Sequence, residues 1–104
     1  MRARLEPLLP AAIDDLKDLV RIPSIAFEGY DRGPVQQSAE AVAELLRGAG
    51  MAEVSIESVD AGSPAVIGRT PAAAGRPTVL LYAHHDVQPT GSLEDWTSAP
   101  FEPV

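Results

Sequence analysis

Thr78-Val79-Leu80-Leu81-Tyr82-Ala83-His84-His85-Asp86-Val87-Gln88-Pro89 is the stretch on which the reading of this chain turns. Its first five residues are β-branched or bulky at every position and follow Pro77, the pattern of a strand covered on both faces, as central strands of α/β sheets are. Both histidines of the chain come next, at the C-terminal end of that predicted strand, where open α/β sheets place their ligands. With extended geometry carried through the motif, His84 and Asp86 project to one side and His85 to the other. A carboxylate beside an imidazole can accept the ring N–H that is not used for coordination, which fixes the tautomer and raises ligand basicity. The spacing therefore suits His84 as a metal ligand and Asp86 as the acid that orients it. A histidine pair at a strand end is nonetheless more often a hydrogen-bonded or solvated loop feature, and spacing alone does not decide between the two.

Upstream, Leu9, Ile13, Leu16 and Val20 recur at four, three and four residues, with Asp14, Asp15, Lys17, Asp18 and Arg21 on the other face. That predicts an amphipathic helix over residues 10–21, opened by Pro10 and closed by Pro23, which drives Ile22 out of the α region. Residues 24–33 carry neither period and read as an ordered loop. A second helix is opened by Pro34 and bears Val35, Ala39, Val42, Leu45, Leu46 and Ala49 on one stripe, with Gly48 or Gly50 as its left-handed stop. Residues 54–59 alternate as a half-buried strand does, and residues 65–68 form a shorter strand candidate. Residues 70–77 are small and turn-rich, a surface loop. The order helix, helix and about three strands gives an α/β class.

Composition narrows the chemistry. The 104 residues amount to one ordinary domain's worth of polypeptide. No apolar run approaches membrane-spanning length, and the N-terminus has no signal-peptide pattern, so the expected address is the cytoplasm and no membrane partner is expected. Zero cysteine excludes disulfides, Cys-ligated zinc, iron–sulfur clusters and thiol nucleophiles, leaving His and carboxylates to hold any metal. With 8 Lys+Arg against 15 Asp+Glu, a net charge of −7, the chain is not expected to bind nucleic acid, which needs clustered cations.

The run from Leu80 to Pro89, followed by Trp96-Thr97-Ser98-Ala99-Pro100-Phe101-Glu102-Pro103, resembles the signature of the aminoacylase/carnosinase family of dinuclear zinc metallopeptidases. That signature is an apolar strand, His-x-Asp-Val-x-Pro, then a Trp and, shortly after, Pro-Phe-x-Pro. Leu19-Val20-Arg21-Ile22-Pro23-Ser24 also looks like the family's first helix running into its Ile-Pro-Ser turn, so the resemblance covers essentially the whole chain. It implies that residues 1–104 are the N-terminal part of a three-layer α/β/α zinc-exopeptidase-like catalytic domain, incomplete in this chain, with the inserted lid and dimerisation domain absent. It further implies that His84 binds zinc and Asp86 is the catalytic acid orienting it, with two zinc ions in the full enzyme and cobalt or manganese as possible substitutes.

The implied substrate is a dipeptide or N-acyl amino acid, and the implied full-length assembly is a homodimer. The Val-Gln-Pro ending leans toward the dipeptidase branch over desuccinylases and deacetylases. His85 fills the variable position of His-x-Asp and is not assigned to metal. Trp96 and Phe101 read as packing residues, and nothing in the spacing of Ser24 or Ser92 supports a Ser-His-Asp triad. The family's bridging Asp, its general-base and ligand Glu residues and its distal His are expected beyond Val104, and Glu94, Asp95 and Glu102 match none of them. The competing expectation is a catalytically inert module lacking most metal ligands.

Overall fold

The helices form where the apolar spacing and prolines put them. The computed structural model describes residues 2–60 and 62–104. A short helix α1 (Arg2–Leu5) and a 3-10 turn (Glu6–Leu8) lead into α2 (Leu9–Val20), with Pro10 in its first turn, where the missing N–H costs nothing. Helix α3 (Gly33–Gly48) likewise has Pro34 in its first turn, and Asp31 Oδ1 accepts the Gly33 N–H at 2.9 Å just ahead of it.

Gly50, one of the two expected stops, is the one that ends α3. It has φ +88°, its N–H bonds back to the Arg47 carbonyl at 2.9 Å, and the Met51 N–H reaches the Leu46 carbonyl at 3.1 Å. This paired closure satisfies carbonyls that the last helical turn leaves open. A side chain at that φ is strained, so Gly50→Ala is expected to cost about 1 kcal/mol, read as a lower midpoint in chemical denaturation.

After that turn the chain forms an antiparallel hairpin of β1 (Glu53–Glu57) and β2 (Ala65–Arg69), paired Glu53↔Arg69, Val54↔Gly68, Ser55↔Ile67, Ile56↔Val66 and Glu57↔Ala65. The alternation is the expected one: Val54, Ile56, Val66 and Gly68 are half-buried and their neighbours exposed. Helix α3 packs on both strands. Its approach is close at Gly68, where an added Cβ would lie 3.1 Å from Leu46 Cδ1 and 3.3 Å from Met51 Cγ.

The expected third strand is corrected by the structure. Residues 78–82 belong to no strand among the described residues, and Val79, Leu80, Leu81 and Tyr82 are 74–90% exposed. An apolar, β-branched run expresses a preference for burial, but a strand exists only through a neighbour's backbone, and the hairpin does not extend to it. The sheet among the described residues therefore has two strands, in a mixed α/β arrangement.

Burial is correspondingly sparse. Among the described residues the apolar core comprises Ile25, Val35, Ala39 and Ala43, and the two largest fully buried side chains are the serines Ser24 and Ser38. The stripe of α2 is uncovered, with Leu9, Ile13, Leu16 and Val20 all exposed. A radius of gyration of 16.2 Å exceeds the roughly 13 Å of a compact chain this long.

Candidate functional site

The histidine segment is held in place by the turn that ends α2 and by the buried stripe of α3. Ile25 and Val87 form an isolated parallel bridge, and the Val87 N–H donates to the Ser24 carbonyl at 3.0 Å. The Ser24 hydroxyl donates to the His85 carbonyl at 2.9 Å, and the Ser38 hydroxyl contacts the same oxygen at 3.0 Å. Pro23 closes α2 and turns the chain, and this places Ser24 where both its hydroxyl and its carbonyl face the motif.

The three side chains of His84-His85-Asp86 divide as an extended backbone requires. His84 and Asp86 share a side, with His84 Nδ1 3.4 Å from Asp86 Oδ1. His85 points the other way, into the protein. Its Nε2 lies 3.0 Å from the Pro64 carbonyl and its Nδ1 lies 3.2 Å from the Ser38 hydroxyl. A carbonyl only accepts, so Nε2–H is the donor to Pro64. In the neutral ring Nδ1 then accepts, and it shares the single Ser38 hydroxyl proton with the His85 carbonyl. His85 thus ties α3 to the loop that precedes β2, a packed and bonded role in keeping with its variable place in the motif.

His84 faces outward, its side chain 73% exposed. Its Nδ1 lies 2.9 Å from the Asp86 backbone carbonyl, nearer than the carboxylate oxygen at 3.4 Å. The bond requires the proton on Nδ1, and the neutral ring then presents the Nε2 lone pair away from that contact. The sequence reading expects the Asp86 carboxylate to accept this proton; its Oδ1 lies alongside at 3.4 Å, and the main-chain carbonyl of the same residue is the nearer acceptor.

Imidazole with a free Nε2 is a donor that zinc and similar ions accept. Among the described residues, however, no three His, Asp or Glu side chains converge on one point. Among the described residues, His84 presents one exposed imidazole rather than a converging set of donors.

The remaining expected residues lie in loops, and Trp96, expected to pack, is 48% exposed. Trp96 Nε1–H donates to the Thr90 carbonyl at 2.9 Å, closing the loop behind the motif. Phe101 is half-buried with φ +67°, an uncommon backbone state for a bulky residue. Ser24 faces a main-chain carbonyl rather than an imidazole, so no triad is built on it. Sequence reasoning missed Ser38. Its signal was present: a hydroxyl at the i+3 position from Val35, inside the apolar stripe of α3, has to find a partner where it is buried.

No helix among the described residues is long and apolar enough to cross a membrane. No family model matches the chain, and no solved structure matches it significantly. Three curated proteins do. The chain is 29% identical to the Cys-Gly metallodipeptidase DUG1 of Candida albicans, over 93% of the chain and 22% of that protein. It is 25% identical to the Cys-Gly metallodipeptidase DUG1 of Saccharomyces cerevisiae, over 97% of the chain and 23% of that protein. It is 33% identical to the succinyl-diaminopimelate desuccinylase of Delftia acidovorans, over 85% of the chain and 22% of that protein. The chain spans about a fifth of the length of these relatives.

Proposed function

We propose that this chain is the N-terminal part of an aminoacylase/carnosinase-type metallopeptidase and that it supplies one metal ligand, His84, to a zinc-dependent hydrolase of amide bonds in dipeptides or N-acyl amino acids. The observation that carries this is the orientation of His84: Nδ1–H held on Asp86 and Nε2 free at an exposed face. Two zinc ions bound in the full-length enzyme would supply an activated water and polarisation of the scissile carbonyl. This chain's own residues orient the ligand. Asp86 holds the ring by its carbonyl, with its carboxylate alongside, and the Ser24 carbonyl holds the peptide between Asp86 and Val87.

The remaining ligands, the general base and the rest of a three-layer α/β/α catalytic domain come from sequence outside these residues. The protein acts in the cytoplasm, as a homodimer, on small substrates. The dipeptidase reading rests on the Val-Gln-Pro ending and on the two Cys-Gly metallodipeptidases among the relatives. The desuccinylase relative, at 33% identity, supports the second reading, an N-acyl amino acid substrate.

One experiment addresses both. Full-length protein stripped of metal with a chelator is expected to lose hydrolysis of dipeptides and to regain it with zinc. N-succinyl and N-acetyl amino acids in the same panel are expected to turn over at least about tenfold more slowly, a difference in transition-state binding of about 1.4 kcal/mol. Undiminished hydrolysis in the stripped protein contradicts the metal assignment, and a reversed substrate preference establishes the second reading.

A further inference from the structure

The buried serines of this chain sit at one point, and that point is the backbone of the histidine motif. Ser24 and Ser38 are each 1% exposed, come from two different elements, and converge on the same acceptor, the His85 carbonyl, at 2.9 and 3.0 Å. That carbonyl belongs to the peptide joining His85 to Asp86, so the two hydroxyls fix its plane. The next peptide, joining Asp86 to Val87, is fixed as well. Its N–H donates to the Ser24 carbonyl at 3.0 Å, and its carbonyl accepts the His84 Nδ1–H at 2.9 Å. A chain of bonds therefore runs from Ser24, through one peptide group, to the ring of His84. The ring has no other hydrogen-bond partner among the described residues apart from the Asp86 carboxylate at 3.4 Å.

We infer that Ser24 and Ser38 are positioning residues for His84: they hold the two peptides on which the ring's tautomer and direction depend, without touching the ring. The inference rests on His84 being a ligand, as proposed above. Removing both hydroxyls leaves the His85 carbonyl with no buried partner, so the peptide can rotate toward water and carry the Asp86 carbonyl off the Nδ1–H. The imidazole then loses the contact that keeps Nε2 free, and ligation must supply the ordering that the fold supplied before. His85 remains anchored at Pro64 and is not sufficient, since its ring constrains its own side chain rather than the peptides that follow it.

The test measures zinc affinity of the full-length protein by competition with a chromophoric chelator, for Ser24→Ala, Ser38→Ala and the double variant, beside Ser24→Thr and His84→Ala. The double variant is expected to bind zinc about ten- to a hundredfold more weakly, the range for loss of groups that orient a ligand, with each single variant in between. Ser24→Thr keeps the γ-hydroxyl and is expected to bind as the parent does. Should the double variant fail to fold, the single variants, each with one hydroxyl left on the carbonyl, decide the matter. Zinc affinity unchanged in the serine variants, with only the melting temperature of the metal-free protein lowered, overturns the inference and leaves a purely structural role. His84→Ala separates the two levels. If it weakens zinc binding while the serine variants do not, the positioning role alone fails. If it leaves zinc binding unchanged, the ligand assignment fails and the positioning role falls with it.

Discussion

Replacing His84 by alanine in the full-length protein is expected to remove zinc and turnover together, each by at least about a hundredfold. The floor follows from a comparison: groups that only orient a ligand cost ten- to a hundredfold when lost, and His84 is proposed as the ligand itself. The substitution should do little else. The side chain is 73% exposed, its hydrogen bond is to the neighbouring Asp86 carbonyl, and it fills no space in the core. Stability of the metal-free protein is therefore expected to change by less than about 0.5 kcal/mol, as for other surface substitutions. The combination of large loss of metal and near-constant stability distinguishes a ligand from a structural residue. Zinc content and turnover equal to the parent's would remove His84 from the site.

The second large effect concerns the 104-residue chain on its own, which is expected to associate rather than to melt as a cooperative monomer. Val79, Leu80, Leu81 and Tyr82 stand open to water with no backbone hydrogen bonds to other described residues, and the stripe of α2 is open as well. Covering one such large apolar side chain is worth roughly 1.5–3 kcal/mol, so these faces hold more potential stabilisation than the four-residue apolar core now realises. An extended apolar segment with unpaired backbone groups is also a template for pairing with another chain. Sedimentation and thermal scans at several concentrations check this. Oligomers growing with concentration and a broad transition are expected; a monomer with a sharp transition would contradict it.

Much of the local structure was legible in the residues. The four-three-four spacing of Leu9, Ile13, Leu16 and Val20, the prolines at 10, 23 and 34, and the alternation around Val54 and Ile56 place α2, α3 and β1 within a residue or two of where they stand. Those signals are local, written within one or two turns or one pleat. Residues 78–82 misled for the complementary reason: hydrophobicity states what a segment would bury, whereas strand formation depends on whether another backbone is beside it.

The site divides along the same line. The pleat argument put His84 and Asp86 on one side and His85 on the other, and the structure has them so. Which atom of Asp86 receives the ring N–H depends on a side-chain torsion that spacing does not encode. Ser24 was visible only as the end of a turn, and Ser38 only as a polar position in an apolar stripe. Their meeting at the His85 carbonyl, 61 and 47 residues away in the chain, is a property of the fold.

The central claim is that adjacent histidines carry opposite duties, His84 outward to metal and His85 inward to Ser38 and Pro64. The most direct measurement is zinc stoichiometry together with metal-free thermal stability for His84→Ala and His85→Ala side by side in the full-length protein. The account predicts that His84→Ala loses zinc with little change in melting temperature. It predicts that His85→Ala leaves the Pro64 carbonyl without its partner, leaves the Ser38 hydroxyl with only the main-chain carbonyl of residue 85, and costs about 1–3 kcal/mol of metal-free stability. Full zinc stoichiometry in His84→Ala, with its loss in a normally stable His85→Ala, would contradict it.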